Sequence, residues 1–374
     1  MPKPISILFT IPNFITAGSG QVMLNIIERL DRNKFAPTVC VAKKGGELDK
    51  RVKSMNIPFI EAPFTVSAIP YRSFIFRLAR MADFFRAYRF HLWHSFHYMD
   101  DYTEPLIAFM AGSKAWVYTK KAMGWGSRGW LVRSYLATRI VVDNSEMPRR
   151  MFNRIGLKNK VKLIHHGIPL NQYRPDIPVS LGIKKNLNIP KTEILIACVA
   201  HLLPVKGHST LLEALKFIPN GHLVLAGKPL DPDYTQLLKK IISESGLNSR
   251  VHFLGGVADI PSLFAEVDIA ILPTWGKWRM EGCPVALLEA MACGKACIAT
   301  DIPGSRDIIE NGKNGILVPP ENADALAAAI TRLMSDQDLR RRIGQAARKR
   351  IEEHFSIEKE VALHEALYSE ILNL

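Results

Sequence analysis

The stretch Ile269-Ala270-Ile271-Leu272, followed after a loop by Glu281-Gly282-Cys283-Pro284-Val285-Ala286-Leu287-Leu288-Glu289-Ala290-Met291-Ala292, decides the fold. Its first four residues are a short, wholly apolar run, the pattern of a strand buried on both faces of a parallel sheet. The second run is rich in Ala, Leu and Met, which favour helix, and Pro284 suits a first helical turn. A buried strand leading through a loop into a helix is one step of a βαβ chain. Glu281 then sits in the loop, and Glu289 lies about a turn and a half inside the helix.

The same alternation runs outward from there. Strand-like runs at 5–11, 38–42, 58–61, 92–96, 116–119, 140–143 and 161–165 precede those at 194–200, 223–226, 251–254, 269–272 and 296–299, with helical patterns between them. The expectation is α/β, with two Rossmann-like doubly wound domains: residues 1–170 and 191–355. Residues 171–190, with Pro175, Pro178 and Pro190, read as the connection between them. A last helix over 356–374 is expected to pack back toward the N-terminal domain. The run Arg340-Arg341-Arg342 reads as a solvated helix face.

A chain of 374 residues, 48% hydrophobic and 22% charged, is long enough for two cores and is neither disordered nor fibrous. No apolar run approaches the roughly 20 residues of a spanning helix. The first apolar run, 5–11, has Lys3 before it and Pro12-Asn13 after it, so it reads as a core strand and not as a leader. The expected location is cytoplasmic, with peripheral attachment to the inner face of the membrane as an option. Five cysteines, Cys40, Cys198, Cys283, Cys293 and Cys297, show no paired metal-ligand spacing and read as small buried thiols; no metal site is expected. Residues 1–174 hold 27 Lys+Arg against 11 Asp+Glu, whereas the remainder holds 22 against 24. The basic half attracts phosphates, on an anionic membrane, a lipid-linked acceptor or a nucleic acid.

A ligand at the start of the 285–292 helix meets exposed amides and the positive end of the helix dipole, as a diphosphate prefers. Two carboxylates beside it accept hydrogen bonds from hydroxyl-rich groups such as a sugar and a ribose. Together these describe a nucleotide sugar.

Glu281 to Glu289 resembles the E-x7-E motif of the family 4 (group 1) retaining glycosyltransferases, which have the GT-B fold. Val199-Ala200-His201-Leu202-Leu203-Pro204-Val205-Lys206-Gly207, Leu163-Ile164-His165-His166-Gly167-Ile168-Pro169, Ala299-Thr300-Asp301-Ile302-Pro303-Gly304 and Asn311-Gly312-Lys313-Asn314-Gly315 resemble further segments of that family, in the same order. The resemblance implies two domains facing a central cleft. It implies that Glu281 holds hydroxyls of the transferred sugar with backbone near Gly282 and Cys283, that Glu289 holds the ribose, and that Lys206, beside Gly207, neutralises the diphosphate. His201 stands where the family usually has Arg, so Lys277 or Arg279 is left to supply the second positive charge. Backbone near Gly255 and Gly256 is expected to meet the base. The family's Gly-rich loop between first strand and helix corresponds to Ala17-Gly18-Ser19-Gly20, facing donor phosphates and acceptor. A dinucleotide site there is disfavoured, because the third glycine of G-x-G-x-x-G is missing.

Lys121, His94 and His97 follow strands of the first half, where open α/β sheets bind ligands, and are acceptor-side candidates; a Lys at 121 serves poorly as a neutral base. Residues 64–90 interleave Phe74, Phe76, Phe84, Phe85 and Tyr88 with five arginines. That is the composition of an interfacial membrane helix, and equally of a helix packed on its own sheet. Asp231-Pro232-Asp233 has D-x-D spacing but precedes a helix remote from the motif. The resemblance implies front-face substitution without metal or cofactor, from a nucleotide-diphosphate sugar, UDP-sugar favoured, to a lipid-linked or cell-envelope saccharide. A small soluble acceptor and a non-catalytic sugar-nucleotide binder are the alternatives. No nucleic-acid-binding motif accompanies the charge.

Overall fold

The computed structural model describes residues 3–15, 17–121, 123–124, 127–276 and 282–373. It forms two compact units, one of residues 1–167 with 357–374, the other of 168–356.

The first unit carries β1 (Ile5–Ile11), β2 (Phe35–Val41), β3 (Phe59–Glu61), β4 (Leu92–Ser95), β5 (Ala115–Lys120), β6 (Arg139–Val142) and β7 (Val161–Leu163), in the order β3-β2-β1-β4-β5-β6-β7. The second carries β8 (Leu195–Val199), β9 (His222–Ala226), β10 (Val251–Gly255), β11 (Ile269–Leu272), β12 (Ala296–Thr300) and β13 (Ile316–Val318), in the order β10-β9-β8-β11-β12-β13. Ladders flanking β1 and β8 are parallel, as in Ile7–Leu92 and Ile269–Ile196. Both sheets are therefore doubly wound, and each reverses its strand order once, at β1/β4 and at β8/β11. Open α/β sheets bind ligands at that reversal, outside the carboxyl ends of the strands.

The strands form here because both their faces are buried: β4 and β11 are buried along their whole length. Strand β13 was not anticipated. Residues 171–190 are built into the second unit. Ile183 and Ile189 are core residues there, and Tyr173, Ile177, Leu181 and Leu187 pack against the same cluster. The helix Ile357–Leu372 belongs to the first unit, where Tyr368 lies edge-on to Phe9 and Phe35. Ala17–Gly20 is the opening of the helix Ala17–Arg29 and not a loop before it. Asp231 caps the helix Pro232–Glu244 by accepting from the Tyr234 amide, which gives that carboxylate a structural task. All five cysteines are free and buried. Among the described residues no helix is long and apolar enough to cross a membrane.

Candidate active site

In the second unit, the reversal point is built by the loops after β8 and β11. The loop after β8 ends in a 3₁₀ turn, Pro204–Lys206, and Gly207 follows in the left-handed region at φ +70°. A Cβ there would lie 1.9 Å from the Pro273 carbonyl oxygen, so only glycine lets the two loops touch. The Trp275 amide donates to the Val205 carbonyl at 2.9 Å and ties the same pair of loops, carrying Lys206 to the β11 edge. Beyond that edge, Gly282 and Cys283 are buried and lead into the helix Val285–Ala292. Its N-cap is Pro284, which has no side-chain oxygen to bond the helix's first amides. Glu281, Arg279 and Lys277 lie outside the described residues.

The neighbouring loops are knit to this edge. His201 Nδ1 accepts from the Lys228 amide at 3.2 Å, which puts the proton of the neutral ring on Nε2. The Leu202 amide in turn donates to the Lys228 carbonyl, and Gly227 N to Gly255 O at 2.7 Å. The Lys228 side chain lies over Gly256. Lys206, His201, Gly255 and Gly256 therefore stand on consecutive loops of one sheet edge. Glu289 is half-buried inside the 285–292 helix, and its Oε1 accepts from the Tyr173 hydroxyl at 2.7 Å. Burial raises its pKa to about 7 while that hydrogen bond pulls it down. The edge offers a cation, helix amides and a carboxylate that accepts hydroxyl donors, a set that fits a sugar nucleotide.

At the carboxyl edge of the first unit, two of the three candidates have no atom left for a ligand. His94 is fully buried, its Nδ1 bonded to Tyr368 Oη at 2.7 Å and its Nε2 to Thr119 Oγ1 at 2.9 Å; burial holds it neutral. His97 pairs with Glu104 at 2.9 Å and accepts from the Met99 amide at 3.2 Å. Both are core histidines, because their neighbours are buried polar groups that need partners. Lys121 is buried too, with Nζ donating to the Phe96 carbonyl at 2.7 Å and facing the Phe96 and Tyr98 rings. Burial lowers its pKa to about 7 against the pull of Asp143 and Glu360. The lysine is thus a buried, hydrogen-bonded group, and its burial favours the neutral form. Gly18 is exposed at the start of its helix; a Cβ on Gly20 would meet the Phe14 ring at 2.7 Å, so Gly20 is required for packing.

Residues 181–350 match the model of the glycosyl transferases group 1, and residues 16–172 match that of glycosyltransferase family 4. The chain belongs to the family 4, group 1 glycosyltransferases. This glycosyltransferase is 27% identical over 241 residues to a GDP-mannose-dependent phosphatidylinositol monomannoside mannosyltransferase of Mycobacterium tuberculosis. It is 32% identical over 212 residues to an N-acetylgalactosaminyltransferase of Campylobacter jejuni named for a diphospho-undecaprenol substrate. The matches span 61% and 54% of this chain and only 62% and 53% of those relatives. Among solved structures, a glycosyltransferase from Rickettsia africae superposes with a TM-score of 0.88 at 22% identity, over 99% of each chain. Anabaena HepE, solved with UDP-glucose, superposes with a TM-score of 0.81 at 22% identity, over 98% of this chain and 100% of its own. These share the fold, two Rossmann-like domains.

Two residues of the β8/β11 edge escaped the sequence reading. Lys228 sits beside His201 and brings a second lysine to the edge. Its signal was a Gly-Lys pair just after an apolar strand. Tyr173 gave no signal, since its partner is 116 positions away. Arg348 Nη1 donates to the Tyr173 carbonyl at 2.6 Å and fixes its backbone. Replacing Tyr173 by phenylalanine keeps the ring and removes the donor that favours ionised Glu289. On the expectation that Glu289 holds a ribose, whose diol would donate to the carboxylate, nucleotide affinity should rise as pH climbs through about 7 and Glu289 ionises. In Tyr173→Phe the rise should move to higher pH, with affinity about fivefold weaker near neutrality, the worth of one hydrogen bond. Titration calorimetry with UDP across that range checks it, and parallel profiles would reduce the hydroxyl to packing.

Proposed function

We propose that this protein transfers a sugar from a nucleotide-diphosphate donor, with retention at the anomeric carbon, to a saccharide on a lipid carrier. The observation that carries the donor half is the stitched pair of loops at β8/β11, which sets Lys206 beside the strand that feeds the uncapped 285–292 helix. The bond from the anomeric carbon to the diphosphate oxygen breaks, and charge builds on the departing diphosphate. Lys206, with Lys228 on the adjacent loop, and the helix amides stabilise that charge without a metal. The acceptor hydroxyl attacks from the face the diphosphate leaves, and its proton passes to a departing phosphate oxygen. Glu281 holds sugar hydroxyls and Glu289 the ribose.

UDP-sugar is the favoured donor, in line with HepE, solved with UDP-glucose, and with an Escherichia coli relative named for UDP-Gal, 28% identical over 220 residues. Several relatives are named for lipid-borne acceptors. A lipid carrier puts the reaction at a membrane surface, and the positive excess of residues 1–174 suits an anionic one. The test is a thermal-shift screen of UDP-, GDP-, ADP- and CMP-sugars against the parent and Glu289→Ala. Stabilisation by one nucleotide, lost in the variant, is expected. No stabilisation of the parent by any of them would overturn the donor assignment.

A further inference from the structure

Residues 64–90 form a short turn and a helix whose outward side is unlike an ordinary solvated face. The helix Phe74–Arg86 docks on its own unit through Leu78, Ala82 and Phe85, all buried. Phe85 is thus a core residue and cannot insert elsewhere. Its other side exposes Phe76 by 77% and Ile75 by 66%, and the turn before it exposes Tyr71 by 76% and Ile69 by 67%. Phe84, 44% exposed, lies two turns beyond Phe76 on the flank of the helix, and Tyr88, also 44% exposed, follows in the turn just past the helix end. Ile69, Tyr71, Ile75 and Phe76 stand away from the core, which the opposite face covers, whereas Phe84 and Tyr88 also touch the buried rings of Phe85 and Phe90.

The apolar groups at the tip are held out by an internal brace. Arg77 Nη2 donates to the carbonyls of Ser67 at 2.8 Å and Pro70 at 3.0 Å, and its Nη1 bonds the Ser73 hydroxyl. The turn that carries Ile69 and Tyr71 is therefore locked in place. Arg72 and Arg80 flank the tip, both exposed, and among the described residues neither makes an ion pair. The helix's one carboxylate, Asp83, is already paired with Arg86. Aromatic and branched groups beside unpaired arginines match the two layers of a lipid interface, acyl boundary and anionic headgroup. A protein partner of ordinary composition would leave those arginines to find carboxylates one by one, whereas an anionic bilayer presents counter-charge all over its surface.

We propose that Ile69–Phe76, with Phe84 and Tyr88 alongside, is a docking surface that inserts into the interface of an anionic phospholipid membrane. At 13 residues the helix lies on the bilayer and does not cross it. The proposal deepens the lipid-carrier reading by naming the surface that meets the membrane, and it rests on nothing at the donor edge.

The experiment is flotation of the full chain, without nucleotide, on vesicles of phosphatidylcholine alone or mixed with phosphatidylglycerol. The parent should float with the anionic vesicles only. Ile75→Ser with Phe76→Ser should lower the bound fraction about tenfold at every salt concentration. Arg72→Glu with Arg80→Glu should lower it steeply at low salt and erase its salt dependence. All these positions are exposed, so the variants should melt with the parent and keep its nucleotide response, which separates this result from the donor assignment. A parent that stays unbound, or serine variants that bind as the parent does, overturns the proposal. So does a parent whose sedimentation without lipid shows a dimer that the serine variants lose, since the patch would then cover a second copy.

Discussion

Lys206→Ala is expected to lower turnover of the nucleotide sugar by about two to three orders of magnitude, the usual cost of removing one fixed charge or donor from a leaving-group site. Lys206 is half-buried at the end of a 3₁₀ turn whose geometry is held by backbone: the Trp275 amide on Val205 and the close approach of Gly207 to Pro273. Removing the side chain leaves that geometry alone, so the melting temperature should hardly move. The loss should fall mainly on kcat, because charge on the diphosphate grows as the bond breaks. Glu289→Ala touches groups that stay hydroxyls throughout and should act mainly on binding. Steady-state kinetics of both variants with the donor found in the screen separates them. A Lys206→Ala enzyme within about threefold of the parent would place the leaving-group charge on other residues.

The largest stability effect is expected in the first unit, at Arg133. Its guanidinium is fully buried, with Nη2 at 3.0 Å from Glu104 Oε2 and 2.5 Å from Ser95 Oγ, and Nη1 at 2.6 Å from the Asp101 carbonyl. It lies 4.5 Å from the centre of the Trp116 ring. Burial alone would raise the Glu104 pKa, yet the network pulls it well below the usual carboxylate range. Burial also disfavours protonated His97, so Arg133 is the cation that matters. Arg133→Met leaves Glu104 buried with His97 and Thr10 but without its guanidinium partner, at a cost of about 3 to 5 kcal/mol. Adding Glu104→Gln should recover much of that, because the stranded charge is gone. Urea unfolding followed by tryptophan fluorescence tests this, with Trp93, Trp116 and Trp130 all in that unit's core. A single variant as stable as the parent would mean that Glu104 takes up a proton instead, which lowering the pH would show as no further loss.

The β8/β11 edge of the second unit was more legible in the amino-acid order than the carboxyl edge of the first, for a reason of range. A parallel strand buried on both faces advertises itself in four to seven consecutive residues, and a carboxylate's depth in a helix follows from counting turns. Glu289 could therefore be placed locally, whereas Lys206 and Gly207 were placed by the family resemblance of residues 199–207. His94, His97 and Lys121 looked like ligand contacts because they follow strands, but their burial comes from distant groups. His94 is closed by Tyr368 from the last helix, 274 positions on. Nothing near residue 94 signals that helix.

The sequence by itself determined two doubly wound sheets, the strand-loop-helix that carries Glu289, and the lopsided charge of the first half. Each depends on neighbours within a few positions, so the order of residues is enough. Only the tertiary structure decided that Tyr173 bonds Glu289, that Lys228 joins His201, that Arg133 makes His97 and Glu104 part of a core, and which aromatics of residues 64–90 face outward. Those outcomes are set by which groups are excluded from water together, and that depends on contacts between residues far apart in the chain.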